Sequence, residues 1–264
     1  RALAPQVAGM AAAAAPAATE PEADADLSAA ARVAVLALRA TKPAERPRAL
    51  LVCCGSVATV KAGALARALI DHELDLDVVL TEAARHFADN VSYKGETASV
   101  QLEALDPSRC RVWTDADEWE AYRRVGTDPV LHIELCRAAS VLVVAPMDAN
   151  TLAKAALGLS DNLASCVLRA WPHGLRAGAA ARPKPLIVAP AMNTVMWDQQ
   201  ITADHLGVLR GRGALVVGPV AKALACGDVG DGAMAEVGAV ADAAAAAVAK
   251  GGWAREVEAA PAPA

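Results

Sequence analysis

Aromatic residues are almost missing from this chain: they make up 3% of its 264 residues, with a single phenylalanine. A core must therefore be built from aliphatic side chains and alanine, which dominate a hydrophobic fraction of 55%. Strongly apolar runs of the roughly 18 to 20 residues that span a bilayer are also missing, so no membrane partner is expected. There is no basic excess. The formal charge is −5, and nucleic-acid binding, which calls for a clustered basic face, is not expected. Cys53, Cys54, Cys110, Cys136, Cys166 and Cys226 lack the paired short spacing of a zinc site. They read as reduced thiols, which places the protein in the cytoplasm, and no metal is expected. Neither a G-x-G-x-x-G fingerprint nor a serine-histidine-aspartate motif is present.

What the chain does contain divides into three parts. Residues 1–47 are rich in alanine and proline and carry an acidic patch at Glu20, Glu22, Asp24 and Asp26. Such a segment buries too little to offset its ordering entropy, and a disordered tail is expected, with a short helix within Leu27–Ala40. Organelle transit peptides are poor in acidic residues, which argues against one here. Residues 48–250 are expected to form the folded domain, and 251–264 a second tail.

Within the domain, short continuous apolar runs alternate with helical stretches. The runs Ala49–Cys54, Leu76–Thr81, Ser140–Pro146, Pro185–Pro190 and Ala214–Pro219 read as strands covered on both faces. Helices are expected near Val60–Leu69, Asp128–Ala139, Thr151–Ala170 and Gln199–Arg210, with Asp128 as an N-cap before Pro129. Tyr93–Val112 is harder to assign and is expected to contain an insertion. This alternation predicts an α/β fold, a flavodoxin-like or Rossmann-like open parallel sheet with helices on both faces.

Polar and glycine-rich residues cluster just after the strands, where open parallel sheets bind ligands. Gly55-Ser56-Val57-Ala58 opens a helix, whose backbone N–H groups suit the phosphate of a mononucleotide. Asp148-Ala149-Asn150-Thr151 follows the third run, where Asn150 or Thr151 serves equally well as a helix cap or as a ligand contact. Pro190-Ala191-Met192-Asn193-Thr194 occupies the equivalent place one strand later, and Asn193 offers a donor and an acceptor to a carboxylate or amide. Three glycines at 227, 230 and 232 give the stretch from Leu224 to Met234 the character of a closing flap, with Cys226 inside it. Asp228 and Asp231 lack the full ligand set of a calcium loop. His132, alone on its helix, is on local grounds more readily structural than catalytic.

Together the segments GSVATVK, TDADEW, DPVLHIEL, APMDANTLAKAALGLSDNLASCVLRAW, APAMNTVMW and KALACGDVGDGAMAE resemble the homo-oligomeric flavin-containing cysteine decarboxylases. Within that family the resemblance is to the branch acting on phosphopantothenoylcysteine in coenzyme A biosynthesis. It runs from about Arg48 to Val237. It implies FMN held by Ser56, Val57 and Ala58, by Thr81 and Phe87, by Asp148, Ala149, Asn150 and Thr151, and by Ala191 and Met192. It implies His132 as the active-site histidine, Cys226 as the proton donor, Asn193 on the substrate carboxylate, and the main chain of Ala223, Ala225 and Met234 around the substrate. A homotrimer with the site between subunits is implied as well. Asp148 departs from the serine of many relatives.

The chemistry explains why a flavin is needed. Loss of carbon dioxide from a cysteine carboxylate would leave an unstabilised carbanion. Oxidation of the CH₂–SH group to a thioaldehyde places C=S beta to the carboxylate, so that decarboxylation yields an ene-thiolate. Two other readings share the fold: a decarboxylase of peptidyl C-terminal cysteine, and a phosphatase-inhibiting regulatory relative. A flavodoxin-like electron carrier is a third, and would release no carbon dioxide.

Overall fold

The computed structural model describes residues 46–120, 122–223 and 229–251, together with Val35. Except for Val35, Arg46, Pro47 and Gly251, the two expected tails lie outside the described residues, as do Ala225 and Cys226 of the flap.

The chain begins with β1 (Arg48–Cys53), a 3₁₀ turn at Val57–Lys61, α1 (Ala62–Asp71), β2 (Asp75–Leu80) and α2 (Glu82–Asn90). A small hairpin, β3 (Ser92–Tyr93) and β4 (Glu96–Thr97), leads into α3 (Ala98–Glu103), β5 (Cys110–Trp113), α4 (Asp115–Glu120) and α5 (Leu131–Ala138). Then follow β6 (Val141–Met147), α6 (Ala149–Leu157), α7 (Leu163–Ala170), β7 (Leu186–Pro190), α8 (Thr194–Trp197) and α9 (Gln200–Gly211). The last elements are β8 (Leu215–Val216), the hairpin β9 (Val220–Ala223) and β10 (Val229–Ala233), and α10 (Val237–Gly251).

Six strands form one parallel sheet in the order β5-β2-β1-β6-β7-β8. The strand order therefore reverses between the neighbours β1 and β6, which is the doubly wound pattern expected from sequence. Successive residues of the central strands β1, β6 and β7 enter opposite cores. Leu51, Val143 and Ile187 pack with Leu65 of α1, Ala84 of α2 and Val240 of α10. Leu50, Leu142 and Val188 pack with Leu131 of α5, Val167 of α7 and Leu206 of α9. Burial on both faces is why these strands lack polar alternation.

Three expectations change, the first at Ala214–Pro219, where the strand is only Leu215–Val216. The stretch Tyr93–Val112, for which no element was expected, supplies β3, β4, α3 and three residues of a sheet strand, β5. That strand is fastened by a buried clasp: Asp77 of β2 accepts from Trp113 Nε1 at 2.8 Å and from Arg48 Nη1 at 3.1 Å. The stretch Thr151–Ala170 is two helices. Gly158, at φ 78°, caps the first in the left-handed conformation that glycine adopts without steric cost, and Asn162 opens the second with a capping box. Asp128 is not the cap of α5: Val130 holds that position without a side-chain bond. Instead Asp128 Oδ2 accepts from the N–H groups of Arg123 and Arg124 at 2.8 and 2.6 Å, closing the preceding turn.

Candidate active site

The carboxyl ends of β1, β2 and β6 meet at the reversal point. There Gly55 is pressed between two neighbours: a β-carbon added to it would lie 2.8 Å from Ala83 Cβ and 3.0 Å from Asp148 Oδ2. Only glycine permits that approach, and so the loops after all three strands converge. Beside them is a cavity of about 510 Å³, within the range of about 300–1,000 Å³ usual for small-molecule sites. Thr81, His132, Asp148, Asn150 and Thr151 all line it, joined by Glu118 and Trp119 of α4 and by Ser160 to Leu163.

Helix starts shape this cavity. Thr81 caps α2 by accepting from Ala84 N at 3.1 Å, and Ser56 accepts from Ala58 N at 3.4 Å at the 3₁₀ turn. Neither Asn150 nor Thr151 is the helix cap: Asp148 Oδ1 holds that place, accepting from Thr151 N at 2.7 Å, and Asn150 is exposed at the cavity. Thr151 is buried at its floor.

The wall is acidic, with Glu82, Asp115, Glu118, Asp148 and Asp161 among its residues, and among the described residues no lysine or arginine lines it. Most of this charge is already engaged. Asp115 accepts from Leu163 N at 2.7 Å, at the start of α7. Asp161 receives both carboxylate bonds from Lys154, whose ammonium holds that carboxyl below the usual range. Cys166 also lines the cavity, its thiol pushed up by burial and then by Glu118, Asp161 and Asp115. Burial likewise raises Cys136 to about 12 and Cys54 to about 12, so both are protonated packing thiols. The five described cysteines are all free.

His132 sits in the first turn of α5, with its side chain 22% exposed, and carries the shortest polar contact of the cavity: Nδ1 lies 2.6 Å from Glu118 Oε1. The other oxygen of Glu118 accepts from the backbone N–H of His132 at 3.1 Å. Glu118 was not singled out by sequence reasoning, although it lies within the TDADEW segment. The signal was too weak there, because a glutamate in the first turn of a helix is ordinarily a solvated charge.

A second corner lies at the end of β7. Ala191 and Met192 are buried, and Asn193 caps α8 by accepting from Val195 N at 2.8 Å. Met192 N donates to Gly232 O at 3.0 Å, which docks the β9–β10 hairpin here. Gly232 has φ 137°, and an added β-carbon would collide with Met192 O. Thr194 Oγ1 is buried beside Asn193 with no hydrogen-bond partner. The hairpin thus reaches the strand-end edge of the sheet, as expected for the flap. Met234 follows it with its side chain buried in the core, so only its main chain is left for a ligand. Ser56, Val57, Ala58, Phe87, Ala149 and the second-corner residues are not part of the cavity wall. Phe87 is half-buried on α2, edge-on to His86. Met196 is exposed, whereas Trp197 packs on the core.

Residues 38–249 match the family model described as Flavoprotein. The chain is a member of this flavoprotein family, among its flavin-containing cysteine decarboxylases. A phosphopantothenoylcysteine decarboxylase of Arabidopsis thaliana is 44% identical over 192 residues, covering 73% of this chain and 80% of that protein. Among solved structures, a PPC decarboxylase mutant complexed with pantothenoylaminoethenethiol is 42% identical with a TM-score of 0.64, covering 75% of this chain and 96% of the other. The FMN-binding protein AtHal3 is 42% identical with a TM-score of 0.61, over 75% and 95% of the two chains.

Proposed function

We propose that this flavoprotein decarboxylates phosphopantothenoylcysteine to phosphopantetheine with FMN as its cofactor, a step of coenzyme A biosynthesis. The observation that carries the reading is the convergence of the β1, β2 and β6 ends on one cavity that also holds His132. The residues present suit a flavin mononucleotide. Gly55 lets the loop after β1 close against Ala83 and Asp148 beside the cavity, and Thr194 Oγ1 is an unmatched polar atom at the second corner. Ser56, Val57 and Ala58, Thr81 and Phe87, Asp148 to Thr151, and Ala191 and Met192 would hold it. Bound there, FMN supplies the electron sink that loss of carbon dioxide from a cysteine carboxyl requires.

The protein's own groups orient the substrate and move protons. His132, tied through Nδ1, has Nε2 left to accept the thiol proton. Asn193, oriented by the bond from Val195 N, would direct its amide at the substrate carboxylate. The main chain of Ala223, Ala225 and Met234 would exclude water over the substrate, and Cys226, outside the described residues, would return a proton. A homotrimer with the site between subunits suits two features of the single chain. The cavity wall is without a cation among the described residues, and large apolar residues stand exposed nearby, Trp119 at 71% and Val195 at 67%. Among the described residues no helix is long and apolar enough to cross a membrane, which is in keeping with work in the cytoplasm by the domain at 48–250.

The test is to mix the purified, flavin-loaded protein with phosphopantothenoylcysteine and to follow product mass. Phosphopantetheine from the wild type, and a product two hydrogens short of it from Cys226→Ser, is the expected result. Flavin-loaded protein that releases no carbon dioxide would move the assignment to another cysteine substrate or to a regulatory role.

A further inference from the structure

Helix α5 has no side-chain cap of its own, because its N-cap position is Val130. The missing acceptor comes from a different helix: Glu118 of α4 takes the His132 backbone N–H at 3.1 Å through one oxygen. Its other oxygen is 2.6 Å from Nδ1 of the same residue. One carboxylate therefore grips a single histidine at main chain and ring, with its side chain only 9% exposed. A carboxylate accepts and cannot donate, so the neutral ring in this contact must carry its proton on Nδ1.

We propose that Glu118 is the positioning residue for His132, holding it as the Nδ1–H tautomer so that an unprotonated Nε2 faces the cavity. The proposal rests on His132 acting as a proton acceptor in the decarboxylation proposed above. Had the ring taken the opposite tautomer, Nε2 would carry a proton and could accept none, whatever its distance from the substrate. Glu118 also secures the first turn of α5, so its removal to alanine would disturb helix and ring together. Glutamine separates the two roles. Its carbonyl oxygen still accepts the backbone N–H, while its amide donates to Nδ1 and forces the proton to Nε2.

The experiment uses the flavin-loaded protein labelled with ¹⁵N-histidine, the His132 signals being assigned by their loss in His132→Asn. Wild type is expected to show a protonated Nδ1 and bare Nε2, and Glu118→Gln the reverse, with unchanged flavin content. In turnover, Glu118→Gln should lower kcat about 100-fold with KM changed less than about twofold, within the range for loss of a general base. Combined with His132→Asn it should add less than about threefold to the loss from His132→Asn alone, since both changes act through one ring. A wild-type ring protonated on Nε2, a tautomer unmoved by Glu118→Gln, or a full multiplication of the two losses would each overturn the proposal. Should the wild type not decarboxylate phosphopantothenoylcysteine at all, the functional reading fails, and the ring signals still decide whether Glu118 sets the tautomer.

Discussion

The two corners of the site each turn on a close approach at a glycine, Gly55 in one and Gly232 in the other, and differ in what supports it. Around the reversal point, geometry is also set by side chains that are present: Thr81, Asp148, Asn162 and Glu118 each accept a backbone N–H at a helix start. At the end of β7 it is set by a side chain that is absent, because Gly232 must touch Met192 for the hairpin to dock. The first arrangement is distributed over several bonds, each of modest worth. The second depends on one close approach and has no partial form.

Breaking the second corner should therefore have the largest effect. Gly232→Ala, at φ 137° and against Met192 O, is expected to lower kcat/KM about 100-fold, equivalent to about 3 kcal/mol, while flavin absorbance is retained. Steady-state kinetics on the flavin-loaded variant would check this, and activity within a few-fold of wild type would mean the hairpin need not dock. Asn193→Asp comes next. It keeps the oxygen that accepts from Val195 N but sets an anion against the substrate carboxylate, so KM should rise by roughly 10- to 30-fold, about 1.4–2 kcal/mol. An unchanged KM would remove Asn193 from the substrate.

The first corner should yield by smaller steps. Asp148→Ala deletes the α6 cap and is expected to cost about 1 kcal/mol, a melting shift of about 2–4 °C, with Asp148→Ser recovering most of it. Asn162→Ala removes the capping box of α7 beside the cavity, with a fall of similar or smaller size by the same melting measurement. If either matched the Gly232 variant in its effect on turnover, the contrast between the corners would fail.

The same contrast governs what could be read from sequence. Strands β1, β2, β6 and β7 were legible because each is an apolar run buried on both faces, within a residue or so of the expected bounds. The sixth strand was not. Cys110-Arg111-Val112-Trp113 is a four-residue sheet edge buried only at its two ends, and it exists through pairing with β2 and the Asp77 clasp. The run expected at Ala214–Pro219 forms a strand only at Leu215–Val216, at the opposite edge. Thr81, His132 and Asp148 to Thr151 were recognisable as site candidates by their place after strands or within matching segments. Glu118 was not, since its significance lies in a contact with a residue 14 positions away, and local periodicity says nothing about such a pairing. The break at Gly158 was legible in principle, glycine being a common helix stop, but the apolar pattern continued across it.

The grip of Glu118 on both the main chain and the ring of His132 has a consequence for failure as well as for function. Fraying the first turn of α5 and releasing the imidazole are one event, because the same carboxylate holds both. With His132 as the proton acceptor proposed above, a partly unwound copy of the protein would lose its oriented base at the moment it lost its helix start, and would be chemically silent rather than carelessly reactive.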